Sequence, residues 1–251
     1  VLLLRQQGPL RISGRPIMGA PVSSAGMEEA ELCRLAACLH AGGTRTLGLG
    51  MSLGDLCMDE GFYPAVFAQL AAAAARLREK SGLTVRIFDL GGGFGVSCRP
   101  DCLGPDLSAC AEALRAQTCA LPEALQGVQL SMSPGRFLAA GGGVLVCRVV
   151  AVKPGPTAVL DVSAAQCLRL EKRGAYHAAA ALRTAGRPPL LQQLTTLEQG
   201  APFARQVLPQ LRVGDPVVIR MLGADGRSFS CASERCPAYL LRADGTIEPI
   251  E

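Results

Sequence analysis

Along the first part of the chain, short apolar runs alternate with longer amphipathic ones. Val1 to Arg5 reads as a short buried strand, and Gly8 to Ser24 as a loop rich in Pro and Gly. Met27 to His40 has a helical apolar face (Met27, Ala30, Leu35, Leu39) and stops at Gly42-Gly43. Thr46 to Met51 predicts a second strand. Asp59 to Lys80 is the clearest helix, with Phe62, Val66, Phe67, Leu70, Ala74 and Leu77 at helical spacing and Ser81-Gly82 closing it. Leu83 to Leu90 predicts a strand ending in Gly91-Gly92-Gly93-Phe94-Gly95, Leu107 to Gln117 a helix, and Val128 to Met132 a strand followed by Ser133-Pro134-Gly135-Arg136. Strand, helix, strand in repetition argues for parallel strands joined by crossover helices.

The texture changes near Leu138. Val144 to Val152 is β-branched and strand-like, as is Thr157 to Val162; a polar stretch bearing Arg and Gln follows. Pro216 to Leu222, Ser228 to Ala232 and Ala238 to Arg242 read as strands, with Asp225-Gly226 and Asp244-Gly245 as hairpin turns. The expectation is an α/β unit over residues 1–138 and an antiparallel β domain over residues 139–251. Four parallel strands form either an open sheet or half of an eight-stranded barrel, and a whole barrel takes about 250 residues.

Composition narrows the class. The 251 residues are 49% hydrophobic and 18% charged, too apolar for a disordered chain, yet no apolar run is long enough to span a membrane. A net charge of +4, scattered along the chain, does not suggest a nucleic-acid or membrane surface. The 11 cysteines form no Cys-x-x-Cys pair, and His40 and His177 sit at no zinc spacing, so no metal site is expected. Small reduced cysteines and the lack of a signal-like start predict a cytoplasmic chain. The start at Val1, inside strand-like sequence, suggests a fragment. Only three of the 25 basic residues are lysines, at 80, 153 and 172, which limits any chemistry that needs an amine.

Two loops carry candidate chemistry. Gly91 to Gly95 follows a strand, where glycines let backbone N–H groups approach a phosphate. Pro134-Gly135-Arg136 follows another strand, and the fork of Arg136 suits phosphate oxygens. Loops at the same ends of strands in one parallel sheet share a face, so they reinforce one another.

Together, Asp89-Leu90-Gly91-Gly92-Gly93-Phe94 and Pro134-Gly135-Arg136-Phe137 resemble the pyridoxal-phosphate (PLP) decarboxylases of the alanine-racemase fold that act on ornithine, diaminopimelate and arginine. Met18-Gly19-Ala20-Pro21, Leu47-Gly48-Leu49, Leu208-Pro209, Val213-Gly214-Asp215 and the stretch from Arg136 to Lys153 look like the ornithine decarboxylase branch and its inactive relatives, the antizyme inhibitors. The resemblance implies the C-terminal half of a PLP-binding (β/α)₈ barrel followed by a β-sandwich or β-barrel domain, with active sites between two subunits. It implies PLP held through Gly91, Gly92, Gly93, Gly135 and Arg136.

The departures fall on the family's chemical positions. Its Schiff-base lysine lies upstream and has no counterpart here. By gapless matching, its ring-stacking histidine falls at Ser52 and the serine of the same motif at Asp55. Its glutamate for the pyridine nitrogen falls at Ser133, its catalytic cysteine at Thr196 and the neighbouring acid at Leu197. The tyrosine that reaches the phosphate falls at Asp225, and the substrate-binding acid beside His177 at Tyr176. These changes predict an ornithine-decarboxylase-like pseudoenzyme of polyamine metabolism that acts by binding, as antizyme inhibitors do, although the family's antizyme-binding element lies upstream. The alternatives are the C-terminal part of an active PLP-dependent decarboxylase of a basic amino acid, and a half-barrel remnant whose open strand edges invite dimerisation or aggregation. The expected partner is a second copy or a decarboxylase homologue, with antizyme possible.

Overall fold

The computed structural model describes residues 2–6, 26–51, 57–97, 103–163, 166, 177–198, 203, 205–224 and 236–250, and the backbone of 11–12 and 15–16. They fall into two compact units that meet in sequence at Leu138 and Ala139.

In the first unit, β1 (Leu3–Arg5), β4 (Thr46–Gly50), β5 (Thr84–Asp89) and β6 (Gln129–Ser131) form a four-stranded sheet in that order, and every pair is parallel. A small hairpin, β2 (Arg11–Ile12) and β3 (Arg15–Pro16), follows β1. The crossovers are α1 (Glu29–Ala41), α2 (Phe62–Ser81) and α3 (Leu107–Cys119). Helix α2 starts three residues later than the periodicity suggests. Asp59 accepts the Gly61 N–H at 2.8 Å and the Phe62 N–H on its carbonyl, so residues 59–61 form a turn before the helix. Gly82 ends α2 at φ 75°, a left-handed position suited to glycine. In α3 the Asp106 carboxylate caps the Ser108 and Ala109 amides. Leu4, Leu49 and Phe88 point from the sheet into a core with Phe62, Phe67, Leu70 and Leu77 of α2, and Phe67 meets Phe88 edge to face.

In the second unit, β7 (Val144–Lys153), β8 (Thr157–Leu160), β9 (Ala179–Ala181), β10 (Pro189–Thr195), β11 (Gln206–Pro209) and β12 (Pro216–Arg220) form a sheet in the order β11-β10-β8-β7-β12-β9. The antiparallel expectation needs correction, because β8 and β10 run parallel and the sheet is mixed. The cause is the long connection after β8, which returns the chain in the same direction. The end strands β11 and β9 are bridged by Gln206, whose Oε1 accepts the Ala179 N–H and whose Nε2 donates to the His177 carbonyl, both at 2.7 Å. That bridge leaves a nearly closed β-barrel around Val149, Leu160, Leu194, Val217 and Ile219. Strands β13 (Ala238–Leu241) and β14 (Ile247–Ile250) form a separate hairpin turned at Asp244-Gly245. The expected strand Ser228 to Ala232 and turn Asp225-Gly226 lie outside the described residues. Among the described residues, no helix is long and apolar enough to cross a membrane.

Candidate functional site

The two loops singled out in the sequence meet in the first unit. Parallel register pairs Asp89 with Ser131, so β5 and β6 end level with each other. Leu90 N–H donates to the Ser131 carbonyl at 2.8 Å, and Ser133 N–H to the Gly91 carbonyl at 2.8 Å, zipping the two exits together. A Cβ on Gly92 would lie 2.7 Å from the Ser133 carbonyl oxygen, so only glycine allows this approach. Gly91 and Gly93 take φ of 70° and 89°. Five-residue helix α4 (Gly135–Ala139) then begins directly after the Ser133-Pro134 turn.

Three rings brace the loops from the core side. Tyr63 of α2 stacks on Phe94 at 4.9 Å, and Phe94 meets Phe137 of α4 at 5.3 Å. Burial pushes the Tyr63 phenol up to about 12, so it stays neutral at physiological pH. The thiols of Cys57 and Cys110 are likewise pushed up by burial. Cys57 N–H donates to the Gly93 carbonyl and its own carbonyl accepts the Gly95 N–H, which holds the far side of the loop.

Asp89 is a positioning residue to which the sequence assigned no role. Its Oδ1 accepts the Gly91 N–H at 2.9 Å and sets the first loop turn. Gly50 makes room for it, since a Cβ there would sit 2.9 Å from the Asp89 Cβ. Asp followed two residues on by glycine is a turn signature, so the signal was present.

With the loops held this way, the Gly92 and Gly93 amides have no acceptor among the described residues, and a Cβ on Gly135 would meet no atom within 4 Å. Unclaimed amides suit a phosphate, and Arg136 is the second residue of α4, which follows the Ser133-Pro134 turn. Ser133, at the position implied for the family's glutamate, is exposed at the mouth, with Oγ 3.6 Å from where a Gly92 Cβ would stand.

The remaining candidates lie elsewhere. Thr196 is buried at the end of β10 and Leu197 is exposed beside it, both in the second unit. His177 is buried in the barrel wall with Nδ1 3.1 Å from the Arg220 carbonyl, a structural setting. Lys80 ends α2 at the end of the sheet opposite the glycine loop, and Lys153 ends β7. Ser52, Asp55, Lys172, Tyr176 and Asp225 lie outside the described residues. No group of three or more His, Cys, Asp or Glu among the described residues could hold a metal.

Comparison with known proteins gives a consistent lineage. Residues 26–140 match the family model described as "Pyridoxal-dependent decarboxylase, pyridoxal binding domain". The chain is 30% identical over 235 residues to Protein TabA of Pseudomonas amygdali pv. tabaci, covering 90% of this chain and 55% of TabA. It is 33% identical over 172 residues to the diaminopimelate decarboxylase of Campylobacter jejuni subsp. jejuni, covering 64% of this chain and 41% of the relative. The solved diaminopimelate decarboxylase of M. jannaschi superposes with a TM-score of 0.79 at 19% identity, over 97% of this chain and 59% of that one, which shows the fold. The chain thus spans about half the length of the curated relatives it matches. These relatives are diaminopimelate decarboxylases and TabA, and they lend no support to the finer placement with ornithine decarboxylase and antizyme inhibitors. With a matching pyridoxal-binding domain, the decarboxylase fold and both loops in contact, the chain belongs to the PLP-dependent ornithine/diaminopimelate/arginine decarboxylase family.

Proposed function

We propose that this chain keeps the phosphate-holding corner of a PLP site and does not itself carry decarboxylation, acting instead through what it binds. The observation that carries the reading is the contact of Gly92 with Ser133. The phosphate end fits the residues present: the Gly92 and Gly93 amides and the Arg136 side chain are the groups that would hold it. The pyridine end does not fit. When bound, PLP supplies an electron sink, which depends on a proton at its ring nitrogen. A serine hydroxyl at position 133 does not ionise in the physiological range and cannot hold that proton as a carboxylate does. Asp89, the nearby acid on β5, already has one oxygen committed to the Gly91 amide.

The test compares binding of PLP, pyridoxal and inorganic phosphate by equilibrium dialysis. The reading expects PLP and phosphate to compete for one site, pyridoxal to bind much more weakly, and Gly92→Ala to weaken PLP binding. Equal binding of PLP and pyridoxal would remove the phosphate-corner reading.

A second reading is favoured by the sequence identity to diaminopimelate decarboxylases. In it the chain is part of an active decarboxylase, with a substrate of the diaminopimelate or basic amino-acid class. Carbon dioxide release that depends on added PLP distinguishes it from the first. Regulation of polyamine synthesis through antizyme draws on the sequence resemblance alone, and an antizyme pull-down decides it.

A further inference from the structure

A row of polar and small residues lies at the foot of the two loops. Register sets Arg5, Gly50, Asp89 and Ser131 side by side at the ends of β1, β4, β5 and β6. Leu4, Leu49 and Phe88 turn to the core under the helices, so their neighbours in this row stand on the opposite face of the sheet. Gly50 contributes no side chain, and the Asp89 side chain takes the space its Cβ would fill.

The hydrogen-bonding capacity of this row is unspent. Asp89 gives Oδ1 to the Gly91 N–H, and its Oδ2 takes no hydrogen bond among the described residues. The hydroxyls of Ser131 and Ser133 have no partner there either. Their backbones are fixed. The Ser131 carbonyl accepts the Leu90 N–H, the Ser133 N–H donates to the Gly91 carbonyl, and the Ser133 carbonyl accepts the Gly135 N–H, each at 2.8 Å. Ser133 Oγ stands 3.6 Å from the place of a Gly92 Cβ, beside one of the unclaimed amides.

The nearby aromatic residues are committed elsewhere. Tyr63 and Phe94 are buried and stacked on each other, and Phe94 packs on Phe137, all in bracing the loops. The row therefore offers no aromatic face on which a flat ring could stack. Such a ring would also take water from a carboxylate and two hydroxyls and leave them unpaired. A body built of hydroxyl groups satisfies the same three. A carboxylate accepts from sugar hydroxyls, as it does from the ribose in dinucleotide sites, and a serine both donates and accepts.

We propose that the preferred occupant of the phosphate corner is a phosphate monoester with a polyol body, a sugar phosphate by chemical class. Its phosphate lies on the Gly92 and Gly93 amides and its hydroxyls on Asp89, Ser131 and Ser133. PLP shares only the phosphate end of that ligand. The inference rests on the phosphate-corner reading and goes beyond it by assigning the rest of the ligand.

Calorimetric titration of the full chain with ribose 5-phosphate, phenyl phosphate and inorganic phosphate tests it. The two esters carry the same phosphate and differ in the body. Ribose 5-phosphate is expected to bind about tenfold or more tighter than phenyl phosphate, the worth of one hydrogen bond to a charged group. It should also displace PLP. The double variant Ser131→Ala/Ser133→Ala removes hydroxyls that the fold does not use, and its circular dichroism should match the parent. Asp89→Asn keeps an oxygen for the Gly91 N–H and replaces the free one with a donor. In both variants the ratio of ribose 5-phosphate to phenyl phosphate affinity should fall toward unity, and in the serine variant inorganic phosphate should bind as it does to the parent. Phenyl phosphate binding as tightly as ribose 5-phosphate, or a ratio that survives both variants, would overturn the inference and leave the phosphate corner standing. Failure of all three ligands to bind, inorganic phosphate included, would remove the corner itself and the inference with it.

Discussion

Replacing Gln206 with leucine tests the account of how the β-barrel closes. The Gln206 amide is buried and makes two bonds of 2.7 Å, one from the Ala179 N–H and one to the His177 carbonyl. Leucine fills much of the same volume and makes neither. Each of the two buried backbone groups that loses its partner costs about 1–3 kcal/mol, and the added apolar burial returns roughly 1 kcal/mol, so the net loss is about 1–5 kcal/mol. Urea unfolding of the second unit should show an earlier midpoint with little change in slope. Hydrogen exchange at the Ala179 amide should quicken in step. Gln206→Glu gives a signed control. Its carboxyl must keep a proton to donate to the His177 carbonyl, which raises its folded pKa. Its stabilisation is then present below the ordinary glutamate value of about 4.3 and lost as pH rises through the raised value. A Gln206→Leu penalty under about 0.5 kcal/mol with unchanged Ala179 exchange would refute the bridge.

Two further predictions concern Asp215 and Gly95. The Arg187 guanidinium forks Asp215, whose carboxylate also accepts the Arg212 N–H at 2.7 Å, and its side chain is 11% exposed. The Arg187 hydrogen bond, aided by the Arg212 amide, holds the carboxyl below its ordinary value. The pair's contribution is therefore complete above about pH 4 and lost as pH falls through the lowered value, and Asp215→Asn should cost about 1.5–3 kcal/mol at neutral pH in urea titration. Gly95→Ala would put a Cβ 2.6 Å from the Cys57 carbonyl oxygen and 2.5 Å from Met58 Sδ, so it should weaken PLP binding by displacing the loop, read by dialysis against the parent chain.

Legibility in the sequence followed side-chain chemistry. Strands β7 and β12 were readable because Val, Leu and Ile dominate both. Strand β9 is Ala179–Ala181, and three alanines carry no strand signal. Strands β10 and β11 point Gln192 and Gln206 inward, which spoils the apolar alternation. Both glutamines are tolerated there because backbone groups satisfy them, the Leu208 and Pro209 carbonyls and Leu211 N–H in the case of Gln192. At the candidate site, the glycine run and Pro-Gly-Arg marked each loop. Their contact through Gly92 and Ser133 could not be read, since it depends on the β5–β6 register across some forty residues. The role of Gly50 was hidden for the same reason, because its neighbour Asp89 lies on another strand.

The most direct measurement is carbon dioxide release from diaminopimelate, ornithine and arginine by the chain with saturating PLP. No release above a protein-free blank is expected, alongside PLP binding that inorganic phosphate displaces. Turnover that requires PLP and disappears in Arg136→Ala would contradict it, because the corner at Gly92 and Ser133 would then support the chemistry that its hydroxyl is argued not to sustain.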